Sequence, residues 1–193
     1  MLTVELMALG QPAAAWLPGL AEALRHAVGW RCVLAPDVLD PGFAYLPARG
    51  QFSSSAILQH LEERYALAPA SSLCQDGPGA TQVETLRHSG RALLGVTDVD
   101  LALPIFTFVF GEAIDGGACA VISGHRLRQE FYGLPADPAL FDQRLLKMAL
   151  HEVGHTRGLR HCASWECVMA TSYSIERLDL KSAVFCPSCA SRI

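Results

Sequence analysis

Two histidines four residues apart, His151 and His155, with Glu152 beside the first, are the residues of this chain best suited to chemistry. On an α-helix that spacing puts the imidazoles about 40° apart around the axis and about 6 Å apart along it, so both can converge on one metal ion. In an H-E-x-x-H arrangement the imidazoles bind zinc and the glutamate is a general base on a metal-bound water. Catalytic zinc usually takes three protein ligands and leaves a fourth position open. Gly158 suits a helix end, because glycine enters the left-handed conformation without steric cost and lets the chain turn back. His161 follows three residues later as the candidate third ligand, completing H-E-x-x-H-x-x-G-x-x-H. The chemistry such a set performs is metal-assisted amide hydrolysis, with Glu152 taking a proton from water and passing it to the leaving amine.

A second set of metal ligands overlaps the first. Cys162 comes directly after His161, and Cys167, Met169, Cys186 and Cys189 follow. Four thiolates can close a tetrahedral structural zinc site, and Cys186-Pro187-Ser188-Cys189 has the C-x-x-C form that such sites use. A redox role for Cys186 and Cys189 would need a free dithiol, and the presence of Cys162 and Cys167 favours zinc instead. The chain has seven cysteines, so they cannot all pair into disulfides within it. Cys32 and Cys119 lie in apolar runs and read as small buried hydrophobes, Cys74 lies in a loop, and a reducing compartment fits best.

The run HExxHxxGxxHC, then Cys-x-Met, then a terminal C-x-x-C, resembles the archaemetzincins, a group of metzincin-clan zinc metallopeptidase-like proteins. Gly95 to Asp100, Phe108 to Gly111 and Phe131 to Gly133 are also similar to that family, so the resemblance spans roughly residues 91 to 189. It implies a catalytic zinc on His151, His155 and His161 with Glu152 as base, and a second zinc on Cys162, Cys167, Cys186 and Cys189. Met169 matches the methionine of the turn beneath the metal. The cofactor expectation is therefore two zinc ions per chain.

Composition bounds the rest. A chain of 193 residues, 51% apolar, suits one compact domain. A net charge of −4 and the lack of any lysine or arginine cluster argue against a nucleic-acid partner, including a zinc-ribbon reading of the cysteines. Deaminase chemistry needs H-x-E with P-C-x-x-C, whereas here His151 and Glu152 are adjacent and the knuckle reads Cys186-Pro187-Ser188-Cys189. No stretch approaches 18 continuous apolar residues, so no membrane span is expected. The start has Ala13 to Ala15 like a cleavage site, but it lacks a basic region and carries Glu5. It reads as a first strand, and the protein as a cytoplasmic monomer acting on peptide or protein substrates.

The elements that must hold these residues follow from pattern. Residues 2–9 read as a strand, 17–29 as a helix and 30–34 as a second strand, an order that predicts a parallel pair. Residues 35–50, rich in proline and glycine, read as loop, and 53–67 as a helix. Residues 68–90 give a poor signal, with a short helix possible around 83–88. Further strands are expected at 92–98, 106–110 and 118–123. Asp137 with Pro138 after it starts the helix that carries the histidines. The expected fold is α/β (α+β) and metzincin-like, with a mixed, mostly parallel five-stranded sheet, an active-site helix and a small zinc-stapled C-terminal subdomain. The division falls at 1–158 and 159–193, because 35 residues bury too little surface to fold without a metal.

Substrate contacts are read from the same plan. Strand 106–110 is expected antiparallel at the sheet edge, where Thr107, Phe108, Val109 and Phe110 could pair with an extended peptide above the zinc. Tyr173, just past the methionine turn, is a candidate oxyanion stabiliser. Arg144 could bind a peptide carboxylate or form a salt bridge, and Asp98 with Asp100 could hold calcium or a substrate amine, or serve a turn. The alternative function is a protease-like zinc protein that binds peptides or regulates without cutting them.

Overall fold

The computed structural model describes residues 1–67 and 90–193, apart from the side chains of residues 65–67. Cys74 and the short helix expected at 83–88 lie outside the described residues. The first strand, β1 (Thr3–Leu9), is followed by a short α1 (Gln11–Ala14), α2 (Leu17–Val28) and β2 (Arg31–Leu39). After α3 (Ser54–Leu67), β5 (Arg91–Thr97), β7 (Gly111–Ala113) and β8 (Cys119–Ser123) complete a five-stranded sheet of order β2-β1-β5-β8-β7. All neighbours in it are parallel except β7 and β8. The mixed, mostly parallel sheet is the one the sequence predicts.

Period-two alternation explains why helices cover both faces. Val4, Leu6 and Ala8 of β1 join α2 residues Leu20 and Leu24 in one core cluster, whereas Met7 and Leu9 join Ile57, Leu58 and Leu61 of α3 in the other. Buried on both sides, β8 reads as an unbroken run, Cys119 to Ser123, with every residue enclosed. Cys119 is fully buried as expected, but Cys32 on the edge strand is only half-buried.

Two expectations are corrected. Residues 35–50 are not a plain loop: β2 continues to Leu39, a 3-10 turn spans Pro41–Ala44, and β3 (Tyr45–Leu46) and β4 (Gln51–Ser53) form a small second sheet with β6 (Leu101–Ala102). Pro36 survives inside a strand because β2 is at the sheet edge and its register slips between the pairs Leu6–Leu34 and Ala8–Val38. The segment 106–110 is not a strand. It makes a single bridge, Leu101 with Val109, and the antiparallel edge strand is instead Gly111–Ala113. An apolar run alone could not tell a strand from a cavity wall.

The helix α4 (Pro138–Thr156) starts as expected, with the Asp137 carboxylate accepting from Leu140 N at 2.9 Å. Its middle is buried from Leu145 to Gly154 except Leu146. It ends in a Schellman turn: Gly158 N donates to His155 O, Leu159 N to Gly154 O, and Gly158 has φ of 75°. Two short helices, α5 (Ile175–Leu180) and α6 (Pro187–Ala190), complete the tail. Arg144 forms a bidentate ion pair with Asp179 at 2.6 and 2.7 Å, and Lys147 donates to the Leu178 and Asp179 carbonyls. Arg144 thus docks the tail onto α4, the salt bridge that the sequence allowed.

Candidate metal centre and active site

The turn after α4 brings His161 back over His151 and His155. Ring centres of the three imidazoles lie 4.8, 4.9 and 5.3 Å apart, and their nearest ligand atoms fall within 4.8 Å of one another. His151 Nδ1 lies 2.8 Å from Val168 O and His155 Nδ1 lies 2.7 Å from Leu159 O. A carbonyl only accepts, so both Nδ1 atoms carry the proton and both Nε2 atoms present lone pairs. Those two Nε2 atoms face each other at 3.2 Å with no proton to share. Tetrahedral ligands at the usual zinc–nitrogen length are spaced about 3.3 Å apart, so the donor set fits a metal and leaves two lone pairs opposed without one. Burial, reinforced by Lys181 and the neighbouring imidazoles, holds His151 well below the usual histidine range, in the neutral form a ligand needs.

Glu152 is buried beside them. Burial raises its carboxyl to about 8, opposed by the charge of Lys181. Its side chain packs against the edge strand: a Cβ at Gly111 would meet Glu152 Cγ at 2.8 Å, so glycine is what lets β7 approach the carboxylate. Met169 lies under α4, fully buried, as a floor to the site.

The cysteines converge as well. The four sulfurs of Cys162, Cys167, Cys186 and Cys189 lie within 4.8 Å of one another. Cys162 and Cys186 are separated by 3.8 Å, the spacing of about 3.8 Å expected between thiolates on one tetrahedral zinc. Cys186 N donates to Cys167 Sγ at 3.3 Å, a bond that stabilises a thiolate. The backbone N–H of Cys189 lowers the Cys186 thiol to about 7.

Two openings flank the row formed by His151, Glu152 and His161. One is a cavity of about 360 Å³ whose walls include Phe106, Phe108, Val109, Met148, Ser172 and Lys181. Thr107, Phe110 and Tyr173, the remaining substrate candidates, also border it. The other, about 540 Å³, runs past Glu112, Asp115, His155 and Arg160. Tyr173 is 69% exposed at the rim of the first. Asp100 is held by Arg126 at 2.6 and 2.7 Å and by Gln51 at 2.9 Å, so it is an ion-pair partner. Lys181, Ser172, Arg49 and Gln51 carried no signal in the sequence, since their roles arise from contacts across the chain.

A five-stranded mostly parallel sheet, a long helix bearing H-E-x-x-H, a glycine turn to a third histidine and a buried methionine below define a metallopeptidase of the metzincin type. The sequence matches Peptidase family M54 over residues 80–193, and the chain belongs to that family, with the archaemetzincins. It is 39% identical to archaemetzincin of Methanocaldococcus jannaschii over 162 residues, which are 84% of this chain and 76% of the relative. A zinc-dependent peptidase from Methanocorpusculum labreanum has a similar solved structure, with a TM-score of 0.83 at 27% identity over 98% of each chain. Archaemetzincin from Archaeoglobus fulgidus, crystallised with malonate, has a TM-score of 0.75 at 30% identity over the whole of both chains. No helix among the described residues is long and apolar enough to cross a membrane.

Proposed function

We propose that this protein hydrolyses peptide bonds with His151, His155 and His161 holding a catalytic zinc, Glu152 serving as proton acceptor, and Cys162, Cys167, Cys186 and Cys189 holding a second, structural zinc. Zinc bound at the imidazoles supplies a Lewis acid that acidifies a water and polarises the scissile carbonyl. The observation that carries the reading is that Glu152 borders both openings at the row of imidazoles. A peptide lying across that row brings its scissile bond within reach of the carboxylate. Glu152 takes the proton of the attacking water and returns it to the leaving amine. Burial strengthens Glu152 as a base, and the positive charge of Lys181 and of an ion on the histidines would favour its ionised, proton-accepting form.

Other residues align the substrate. β7 has one strand partner, β8, among the described residues, so its outer edge offers backbone groups to an extended peptide. Thr107, Phe108, Val109 and Phe110 would then act as the wall of the adjoining cavity, with Tyr173 at its mouth. The division at Gly158 fits this reading: residues 1–158 carry the sheet and the catalytic helix, and residues 159–193 form a tail stapled by the cysteine-bound ion.

The test combines metal analysis with a peptide-library digest of the wild type and Glu152→Ala. Two zinc ions in both proteins, with cleavage lost only in Glu152→Ala, supports the peptidase. Two zinc ions with no cleavage of any peptide supports a protease-like binding protein.

A further inference from the structure

The hydrolytic reading leaves one buried cation without a task. Lys181 follows α5 and is 2% exposed. Its ammonium donates to Val168 O at 2.8 Å and to Ala170 O at 2.9 Å, and it lies 3.4 Å from His151 Nδ1. That imidazole nitrogen already gives its proton to Val168 O and has no lone pair left to receive another. Two of the three ammonium protons therefore have acceptors. Among the described residues, no carboxylate forms an ion pair with Lys181. Glu152 acts on it through charge but not at ion-pair distance, so one proton of a buried ammonium is left without a close acceptor, which is costly.

The surroundings show what could offset that cost. Lys181 borders the 360 Å³ cavity together with Ser172, whose buried Oγ has no hydrogen-bond partner among the described residues. The titratable groups bordering that cavity are Lys181, His151, His161, Tyr173 and Glu152. Glu152 is the only acid among them, and any metal ion held by the histidines adds positive charge. The opening on the other side of the row has the opposite character, with Glu112 and Asp115 against a single Arg160. Phe106, Phe108, Val109 and Met148 line the stem of the cavity with apolar surface. An aliphatic stem that ends in an anion complements both features.

We propose that this cavity binds a carboxylate of the substrate peptide, either an acidic side chain or a free carboxy terminus, with Lys181 and Ser172 as the groups that receive it. The inference rests on the peptidase reading of the same site and names the substrate class that reading leaves open. In the complex the third ammonium proton and the Ser172 hydroxyl both donate to the carboxylate oxygens, satisfying the unpaired donors together.

The test uses the full chain loaded with zinc and three acetylated peptides. One has a glutamate and an amidated terminus, the second replaces the glutamate with glutamine, and the third is the glutamine peptide with a free carboxy terminus. Calorimetric titration should show one of the two carboxylate peptides binding about ten- to a hundredfold more tightly than the neutral one, the range expected for a charge-assisted hydrogen bond. Which peptide gains the margin identifies the source of the carboxylate. The margin should vanish in Lys181→Met, return in Lys181→Arg and narrow in Ser172→Ala, the last two keeping the test open if Lys181→Met fails to fold. Equal binding of all three peptides by the wild type, or a margin that survives in Lys181→Met, overturns the proposal. Digestion of the same peptides separates the two readings: a Lys181-dependent margin without cleavage sinks only the peptidase, and cleavage without a margin sinks only the carboxylate site.

Discussion

The sulfur of Met169 occupies the space that a side chain at Gly154 would need. A Cβ built on Gly154 meets Met169 Sδ at 2.5 Å and Phe185 Cε1 at 3.4 Å. Met169 is fully enclosed and has little room to yield. Gly154 lies within the H-E-x-x-H segment, so the contact holds the catalytic helix against the methionine turn. Gly154→Ala should therefore destabilise the protein by about 1–3 kcal/mol through overpacking, despite alanine's better helix propensity. Thermal unfolding of the two zinc-loaded proteins checks this, and an unchanged or raised Tm contradicts it.

The two candidate metal sites share a backbone. His161 and Cys162 are consecutive, Cys162 N donates to Met169 O, and Cys186 N donates to Cys167 Sγ. Cys186→Ala should therefore cost more than the ion the cysteines hold and also weaken zinc at the histidines, by about tenfold or more in affinity, as loss of supporting shells does elsewhere. Competition with a zinc chelator measures it; equal retention of the histidine-bound ion in mutant and wild type would show that the sites are independent.

Acid sensitivity should be traceable to Asp100. Burial pushes its carboxyl up, but the hydrogen bonds from Arg126 and Gln51 and the charge of Arg126 outweigh burial and hold it below the usual carboxylate range. A group depressed in the folded state contributes stability above its unfolded pKa of about 3.9, and loses that contribution as pH falls through the folded value. Asp100→Asn should be less stable than the wild type at pH 7, and the gap should shrink as the pH is lowered below about 4. Urea unfolding of both proteins across that range tests it, with the histidine titrations cancelling in the difference.

Arg49 is remote in sequence from the cavity wall it holds. Its guanidinium donates to the carbonyls of Leu103, Phe106 and Thr107 at 2.7–2.8 Å, and Gln51 adds a second donor to Thr107 at 2.9 Å. Arg126, paired with Asp100, sits 4.2 Å from the centre of the Phe108 ring. Arg49→Ala should loosen residues 103–108, raising KM about tenfold with zinc content unchanged, since misplaced binding groups cost more than their own contacts. Faster amide exchange confined to that segment is the accompanying sign, and unaltered exchange there argues against the clamp.

The local plan of this protein was readable in the chain. Asp137 before Pro138, histidines at i and i+4, and a glycine at the left-handed turn are short-range signals whose geometry is set by helix periodicity and backbone sterics. The parallel strands announced themselves for a related reason: strands buried on both faces must be continuously apolar. That same rule misplaced the edge strand, because Phe106 to Phe110 is as apolar as a strand yet serves as a wall, its backbone taken up by Arg49, Gln51 and Leu101. Pro36 misdirected the reading of residues 35–50, since only the finished sheet shows that β2 is an edge with a register slip.

Which charges meet was decided by tertiary structure alone. Lys181 lies thirty residues beyond His151, at the end of a six-residue helix, and no periodicity ties the two. The turns around Gly158 and Met169, and the docking of α5 through Arg144, bring its ammonium to the cavity wall. The candidate ligands follow from residue type and local spacing, which the chain states directly. The character of the cavity depends on long-range packing, and in this fold that packing sets a cation beside the three histidines.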